Sequence, residues 1–151
     1  MSEEPWKGQK VLIVEDSQKQ QEEIANVFSN LGLEIQGKVS NGLEALESIK
    51  QEKPDLVSLD IIMPVMHGIE CFEKIRLMDK DLKVLFITCL SELHPLKEEY
   101  KDRIEEHLLI GKPLDLADLL KSLSKLYDVA YIAPSNSEVE DQEGQITEAQ
   151  I

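Results

Sequence analysis

The sequence predicts an α/β fold: a doubly wound five-stranded parallel sheet in the order 2-1-3-4-5 with helices on both faces. Three observations carry that expectation. Short, nearly continuous apolar runs recur along the chain, segments of helical period separate them, and four of the five runs end in polar residues suited to a site. Continuous apolar strands are what a sheet buried on both faces requires. Strands alternating with helices make parallel, right-handed crossovers.

The first run, Val11-Leu12-Ile13-Val14, is compact and β-branched, and it ends at Glu15-Asp16. Ser17 is placed to cap a helix reaching about Leu31, with Ile24, Val27, Phe28 and Leu31 on one stripe and Gly32 at its C-terminal end. A second strand near Ile35 to Val39 is the least apolar of the set. Asn41-Gly42 turns the chain into a helix bearing Leu43, Leu46 and Ile49. Pro54-Asp55 breaks before the third strand, Leu56 to Leu59, which ends at Asp60. A loop through Pro64 and Gly68 leads to a helix with Ile69, Phe72 and Ile75. Val84 to Ile87 forms the fourth strand, ending at Thr88. Pro95 to His107 is charged and reads as a helix with a solvated face. Leu108 to Ile110 forms the fifth strand, followed by Gly111-Lys112-Pro113. A last helix, about Leu116 to Tyr127, turns Leu116, Leu119, Leu120, Leu123 and Leu126 inward.

These elements divide the 151 residues into an N-terminal extension (1–9), a folded domain (10–128) and an acidic tail (129–151). The tail holds Glu138, Glu140, Asp141, Glu143 and Glu148, has no Lys or Arg from Pro134 onward, and is expected to be disordered. The net charge of −14 argues against nucleic-acid binding, which needs clustered Lys and Arg, and against anionic membrane surfaces. Protein partners of basic or mixed charge, or a divalent cation, fit it better. Cys71 and Cys89 form no CxxC pair and read as reduced thiols. The first ten residues lack the apolar core of a signal peptide, and no apolar run reaches membrane-spanning length, so the expected setting is cytoplasmic.

In open parallel sheets, sites form at the carboxyl ends of the strands. The first strand delivers Glu15 and Asp16, the third Asp60, the fourth Thr88 and the fifth Lys112, and the predicted strand order gathers them in one cleft. Carboxylates placed together repel unless a counter-charge joins them. Magnesium suits such a set, because it takes oxygen ligands and keeps some of its waters. A carboxylate beside Mg²⁺ and the Lys112 ammonium can act as a nucleophile on phosphorus. The cation and Lys112 can then neutralise the equatorial oxygens of the transferring group, and Thr88 can donate a hydroxyl.

The run Val11 to Asp16, the segment Asp60-Ile61-Ile62-Met63-Pro64-Val65-Met66-His67-Gly68, Thr88 and Lys112-Pro113 together resemble the CheY-like receiver domain of two-component response regulators. Asn41-Gly42-Leu43-Glu44-Ala45-Leu46 looks like that family too. The resemblance spans roughly Lys10 to Tyr127. It implies that Asp60 accepts a phosphoryl group from a sensor histidine kinase or a histidine phosphotransfer protein. It also implies that Glu15, Asp16, Asp60 and the main-chain carbonyl of Ile62 hold Mg²⁺, and that Thr88 and Lys112 engage the phosphoryl oxygens. Such a domain catalyses only its own phosphoryl transfer and dephosphorylation, and signals by contact with a downstream protein that the sequence does not name. The chain departs from the family pattern at Leu109, usually aromatic, at Glu105-Glu106, where a small pair is usual, and at His67, usually acidic. These departures leave the chemistry intact and bear on the conformational response.

Each residue also has a plainer reading. Glu15-Asp16 alone is a helix N-terminus with favourable charge. Asp60 alone is a loop carboxylate, Thr88 a strand residue and Lys112 a surface lysine. The joint pattern outweighs these. His67, His94 and His107 have no ligand spacing and read as structural or surface residues, and Cys89 as a small residue packed beneath the site. Three other functions compete. A constitutive docking module leaves the acidic set, Thr88 and Lys112 unexplained. A haloacid-dehalogenase-type phosphatase wants a second Asp where Ile62 stands. A flavodoxin-like protein wants a Ser/Thr/Gly-rich loop after the first strand.

Overall fold

The computed structural model describes residues 4–89, 102, 104–105 and 108–133. Among them are β1 (Lys10–Val14), α1 (Gln18–Asn30), β2 (Glu34–Val39), α2 (Gly42–Gln51), β3 (Leu56–Leu59), α3 (Gly68–Met78), β4 (Lys83–Thr88), β5 (Leu109–Gly111) and α4 (Leu116–Leu126). The five strands are all parallel and lie in the order β2-β1-β3-β4-β5, as the apolar pattern predicts. Most of the expected helix at Pro95 to His107, and the tail from Pro134, lie outside the described residues.

The core is the sheet itself. Val11, Leu12 and Ile13 of β1, Leu56, Val57 and Leu59 of β3, and Val84, Leu85 and Phe86 of β4 are each 0% exposed. Helix α1 packs Ile24, Val27 and Phe28 against it. Gly32 ends that helix with a φ of 95°, a left-handed conformation that favours glycine. The N–H of Leu33 bonds to the carbonyl of Phe28 and that of Gly32 to Ser29, a pairing that satisfies the last carbonyls of the helix.

Strands β2 and β4 begin one residue earlier than the apolar runs suggest, at Glu34 and Lys83, and β5 and α4 also differ in detail from the sequence expectation. Strand β5 begins at Leu109 rather than Leu108, because its ladder runs Phe86 to Leu109, Ile87 to Ile110 and Thr88 to Gly111. In α4, Leu119 and Leu123 are fully buried, but Leu116, Leu120 and Leu126 are only partly so, and Ser122 and Ser124 are buried instead. The serines flank Leu123, so the covered arc is wider than a leucine stripe, and their small side chains fit within it.

Trp6 in the N-terminal extension also belongs to the core. It is 4% exposed and meets Tyr127 edge-on at 6.2 Å between ring centroids. The Tyr127 hydroxyl donates to Gln9 Oε1 at 2.9 Å, and the Gly8 N–H reaches the Gly32 carbonyl at 2.8 Å. No helix among the described residues is long and apolar enough to cross a membrane.

Candidate functional site

The strand register assembles the site. Val14 pairs with Leu59 across β1 and β3, so Glu15 and Asp60 leave their strands at the same level. Three main-chain bonds continue the sheet past its last paired residues: Glu15 N–H to the Val39 carbonyl (3.0 Å), Asp60 N–H to Val14 (3.1 Å) and Lys112 N–H to Thr88 (3.0 Å). These bonds hold the backbone of Glu15, Asp60 and Lys112 as a strand holds its own. The Lys112–Pro113 peptide is cis.

Asp60 is 5% exposed, and both its carboxylate oxygens are occupied. Oδ1 accepts from Thr88 Oγ1 at 2.7 Å, from the Ile61 N–H at 2.7 Å and, more distantly, from the Ile62 N–H at 3.4 Å. Oδ2 accepts from Lys112 Nζ at 2.9 Å. The same ammonium donates to Glu15 Oε1 at 2.6 Å and to Gln20 Oε1. Glu15 Oε2 accepts from the Ser17 N–H at 2.9 Å.

Gly68 lets the loop after β3 lie this close. A Cβ there would stand 2.1 Å from the Asp60 carbonyl oxygen and 2.6 Å from Ile61 Cα, distances no side chain tolerates. The Gly68 N–H instead bonds to the Ile61 carbonyl at 2.8 Å. His67 caps α3, its Nδ1 accepting from the Ile69 N–H at 3.3 Å, which is the structural role the sequence suggests for it. His94 and His107 lie outside the described residues.

Carboxylate oxygens of Glu15, Asp16 and Asp60 all lie within 4.8 Å of one another, with Asp16 exposed and the other two buried. That oxygen-only, acidic set fits a hard divalent cation. Ile62 lines the same cleft, of about 590 Å³, together with Ser17, Gln20, Cys89 and Pro113. Burial is the main reason the Glu15 carboxyl is pushed up to about 7. The negative charge of Asp60 adds to the shift, while the bonds from Lys112 and the Ser17 N–H oppose it. Burial by itself would lower the Lys112 ammonium, but its bonds to Glu15 and Asp60 outweigh this and hold it above its ordinary value. Glu15 therefore holds its proton more tightly than a carboxyl in water does, and Lys112 keeps its charge.

All five polar residues singled out in the sequence, Glu15, Asp16, Asp60, Thr88 and Lys112, are brought together, and Ile62 joins them at the wall of the cleft. Two more were not visible in advance. Gln20 contacts Lys112, and buried Gln21 donates to the carbonyls of Glu15 (2.6 Å) and Val39 (3.2 Å), tying the ends of β1 and β2 together. Helical spacing from the Glu15-Asp16 pair puts both near the strand end, but glutamine in a first helical turn is common without any such task.

The sequence matches the family described as response regulator receiver domain over residues 11–124. It is 29% identical over 119 residues to the chemotaxis protein CheY of Thermotoga maritima, covering 79% of this chain and 98% of that one. It is 31% identical over 118 residues to sporulation initiation phosphotransferase F of Bacillus subtilis, covering 78% and 93%. The fold superposes on the crystal structure of a CheX–CheY–BeF3–Mg²⁺ complex from Borrelia burgdorferi with a TM-score of 0.70 and 29% identity, over 83% of this chain and 98% of that one. A match across most of the chain, in sequence and in strand order alike, means that this protein belongs to the response regulator receiver family, signalling domains of the CheY type.

Proposed function

We propose that this chain is a response regulator receiver whose phosphoacceptor is Asp60. The observation that carries this reading is the environment of the Asp60 carboxylate, which is buried, gripped at Oδ1 by Thr88 and at Oδ2 by Lys112, and set among two further acids. A carboxylate so placed is fixed in orientation and cannot drift from an incoming phosphorus.

In the proposed reaction an Asp60 oxygen attacks the phosphorus of a phosphohistidine on a sensor kinase or phosphotransfer protein. A P–O bond forms, the P–N bond breaks, and the imidazole nitrogen leaves with the electron pair. Lys112 and Thr88 move from the carboxylate to the phosphoryl oxygens, where charge accumulates. Glu15, Asp16, Asp60 and the main-chain carbonyl of Ile62 are the residues that would hold a magnesium ion. When bound, the ion supplies positive charge that offsets the repulsion between the acids and the arriving phosphoryl group. The similarity to a CheY solved with Mg²⁺ and BeF3 supports that assignment. Output would follow by contact with a downstream protein in the cytoplasm.

The test is intact mass after incubation with a small acyl phosphate, with and without Mg²⁺. One phosphoryl group should appear on the native protein and none on Asp60→Asn. Labelling that persists in Asp60→Asn, or is indifferent to a chelator, would remove the assignment.

A further inference from the structure

We propose that Gln20 is a positioning residue for phosphoryl transfer, holding the Lys112 ammonium over Asp60 while the two carboxylates that share it are engaged elsewhere. The proposal rests on the phosphoacceptor reading of Asp60.

An ammonium has three N–H donors. Lys112 directs them to Glu15 Oε1, Asp60 Oδ2 and Gln20 Oε1. Two of these acceptors are acids that a divalent cation or a phosphoryl group would claim during the reaction. Gln20 is neutral and competes weakly for a cation, so it remains with Lys112 when the acids turn away. A lysine has a long, flexible stem that must be ordered to act at one point. A fixed acceptor on the first turn of α1 orders it before the reaction begins.

The local geometry shows that Gln20 is diverted to this task. Ser17 caps α1 by accepting from the Gln20 N–H at 3.3 Å. In a Ser-x-x-Gln arrangement the glutamine side chain ordinarily reaches back to the main-chain N–H of the capping serine. Here Glu15 Oε2 takes the Ser17 N–H at 2.9 Å, and the amide of Gln20 turns to Lys112. Helix α2 provides the contrast. Its cap Asn41 accepts from the Glu44 N–H at 2.9 Å, and the Glu44 side chain does fold back, to the Ser40 N–H at 2.9 Å. Both helices begin with a capping residue followed three positions later by a Gln or Glu. Only at α1, where an acid of the site satisfies the serine, is the side chain released toward the lysine.

The experiment compares native protein, Gln20→Leu, Lys112→Ala and the double variant. Each is labelled with acetyl phosphate at saturating Mg²⁺ and followed by intact mass. Melting temperatures confirm that each variant folds. Gln20→Leu should lower the maximal labelling rate about ten-fold and leave the half-saturating phosphodonor concentration unchanged. In the Lys112→Ala background the same substitution should cost nothing further, since Gln20 acts through Lys112. A second readout needs neither metal nor phosphate: the Lys112 Nζ protons, seen by NMR of the metal-free protein, should exchange with water markedly faster in Gln20→Leu. Native labelling rates with an unchanged ammonium signal in Gln20→Leu overturn the proposal. So does an equal loss in both backgrounds, which would mark Gln20 as a structural residue. A native protein that takes no label at Asp60 overturns instead the reading on which the proposal stands.

Discussion

Thr88 Oγ1 donates to Asp60 Oδ1 across 2.7 Å, between a threonine with no exposed surface and a carboxylate that is 5% exposed. The bond joins the ends of β3 and β4 and fixes the carboxylate plane. A hydrogen bond to a buried charged group contributes roughly 1.5–3 kcal/mol. Thr88→Val keeps the shape and the strand but removes the donor. Metal-free Thr88→Val should be less stable than native protein by about that amount in urea unfolding, while still accepting a phosphoryl group more slowly than native. An unchanged midpoint would mean that the Ile61 N–H and Lys112 hold Asp60 unaided.

Glu15 makes the metal-free protein sensitive to pH. Its carboxyl titrates near 4.5 when unfolded and is pushed up to about 7 by burial in the fold. The folded state therefore binds the proton more tightly. Stability from this group is fully present below about pH 4.5 and is lost as pH rises through about 7. The loss is on the order of a few kcal/mol. Glu15→Gln should flatten that part of the profile, as measured by urea midpoints without metal between pH 5 and pH 8. Added Mg²⁺ should restore native stability mainly at the alkaline end, where the carboxylate is ionised. A native profile that rises from pH 5 to pH 8 would contradict the sign.

Val65 carries backbone strain in the loop that follows Asp60. Its φ is 70°, and the Met66 N–H closes a tight three-residue turn on the Pro64 carbonyl at 2.7 Å. Turns of this hand are rare and strained, and a β-branched residue suits them worst. The side chain is 75% exposed, so it offers little packing in return. Val65→Asn, a residue that tolerates positive φ, should raise stability by about 1 kcal/mol in thermal or urea unfolding. A loss of similar size would show that Val65 makes a contact the turn depends on.

Ile62 stands at the wall of the cleft where water would approach a phosphorylated Asp60. It is apolar and cannot orient that water by hydrogen bonding. Leu90, two residues after Thr88 in the sequence and equally apolar, lies outside the described residues. Phospho-Asp60 should therefore be long-lived, and Ile62→Asn should speed its hydrolysis roughly ten-fold, about 1.4 kcal/mol of barrier. The measurement is the decay of phosphoprotein mass after removal of the phosphodonor. Equal or slower decay in the variant would refute exclusion of water by Ile62.

Much of this architecture was legible in the amino-acid order. The apolar run Leu56 to Leu59 is β3 to the residue, and the stripe of Ile24, Val27 and Phe28 is the buried face of α1. Periodicity reports which side of an element is covered, and a parallel sheet leaves few ways to arrange five such strands. The acidic pair, Asp60, Thr88 and Lys112 were visible because each ends an apolar run. Tertiary structure alone decided the rest. Trp6 finds Tyr127, and Lys112 finds Gln20, across separations that no local pattern encodes. Gly68 is a loop glycine in the sequence, and only the fold sets the Asp60 carbonyl where its Cβ would be. Gln20 has the spacing of a capping residue, yet its side chain goes to Lys112 because Glu15 already satisfies Ser17. Burial patterns are written locally, residue by residue. The choice among competing hydrogen-bond partners is made only when distant strands bring those partners within reach.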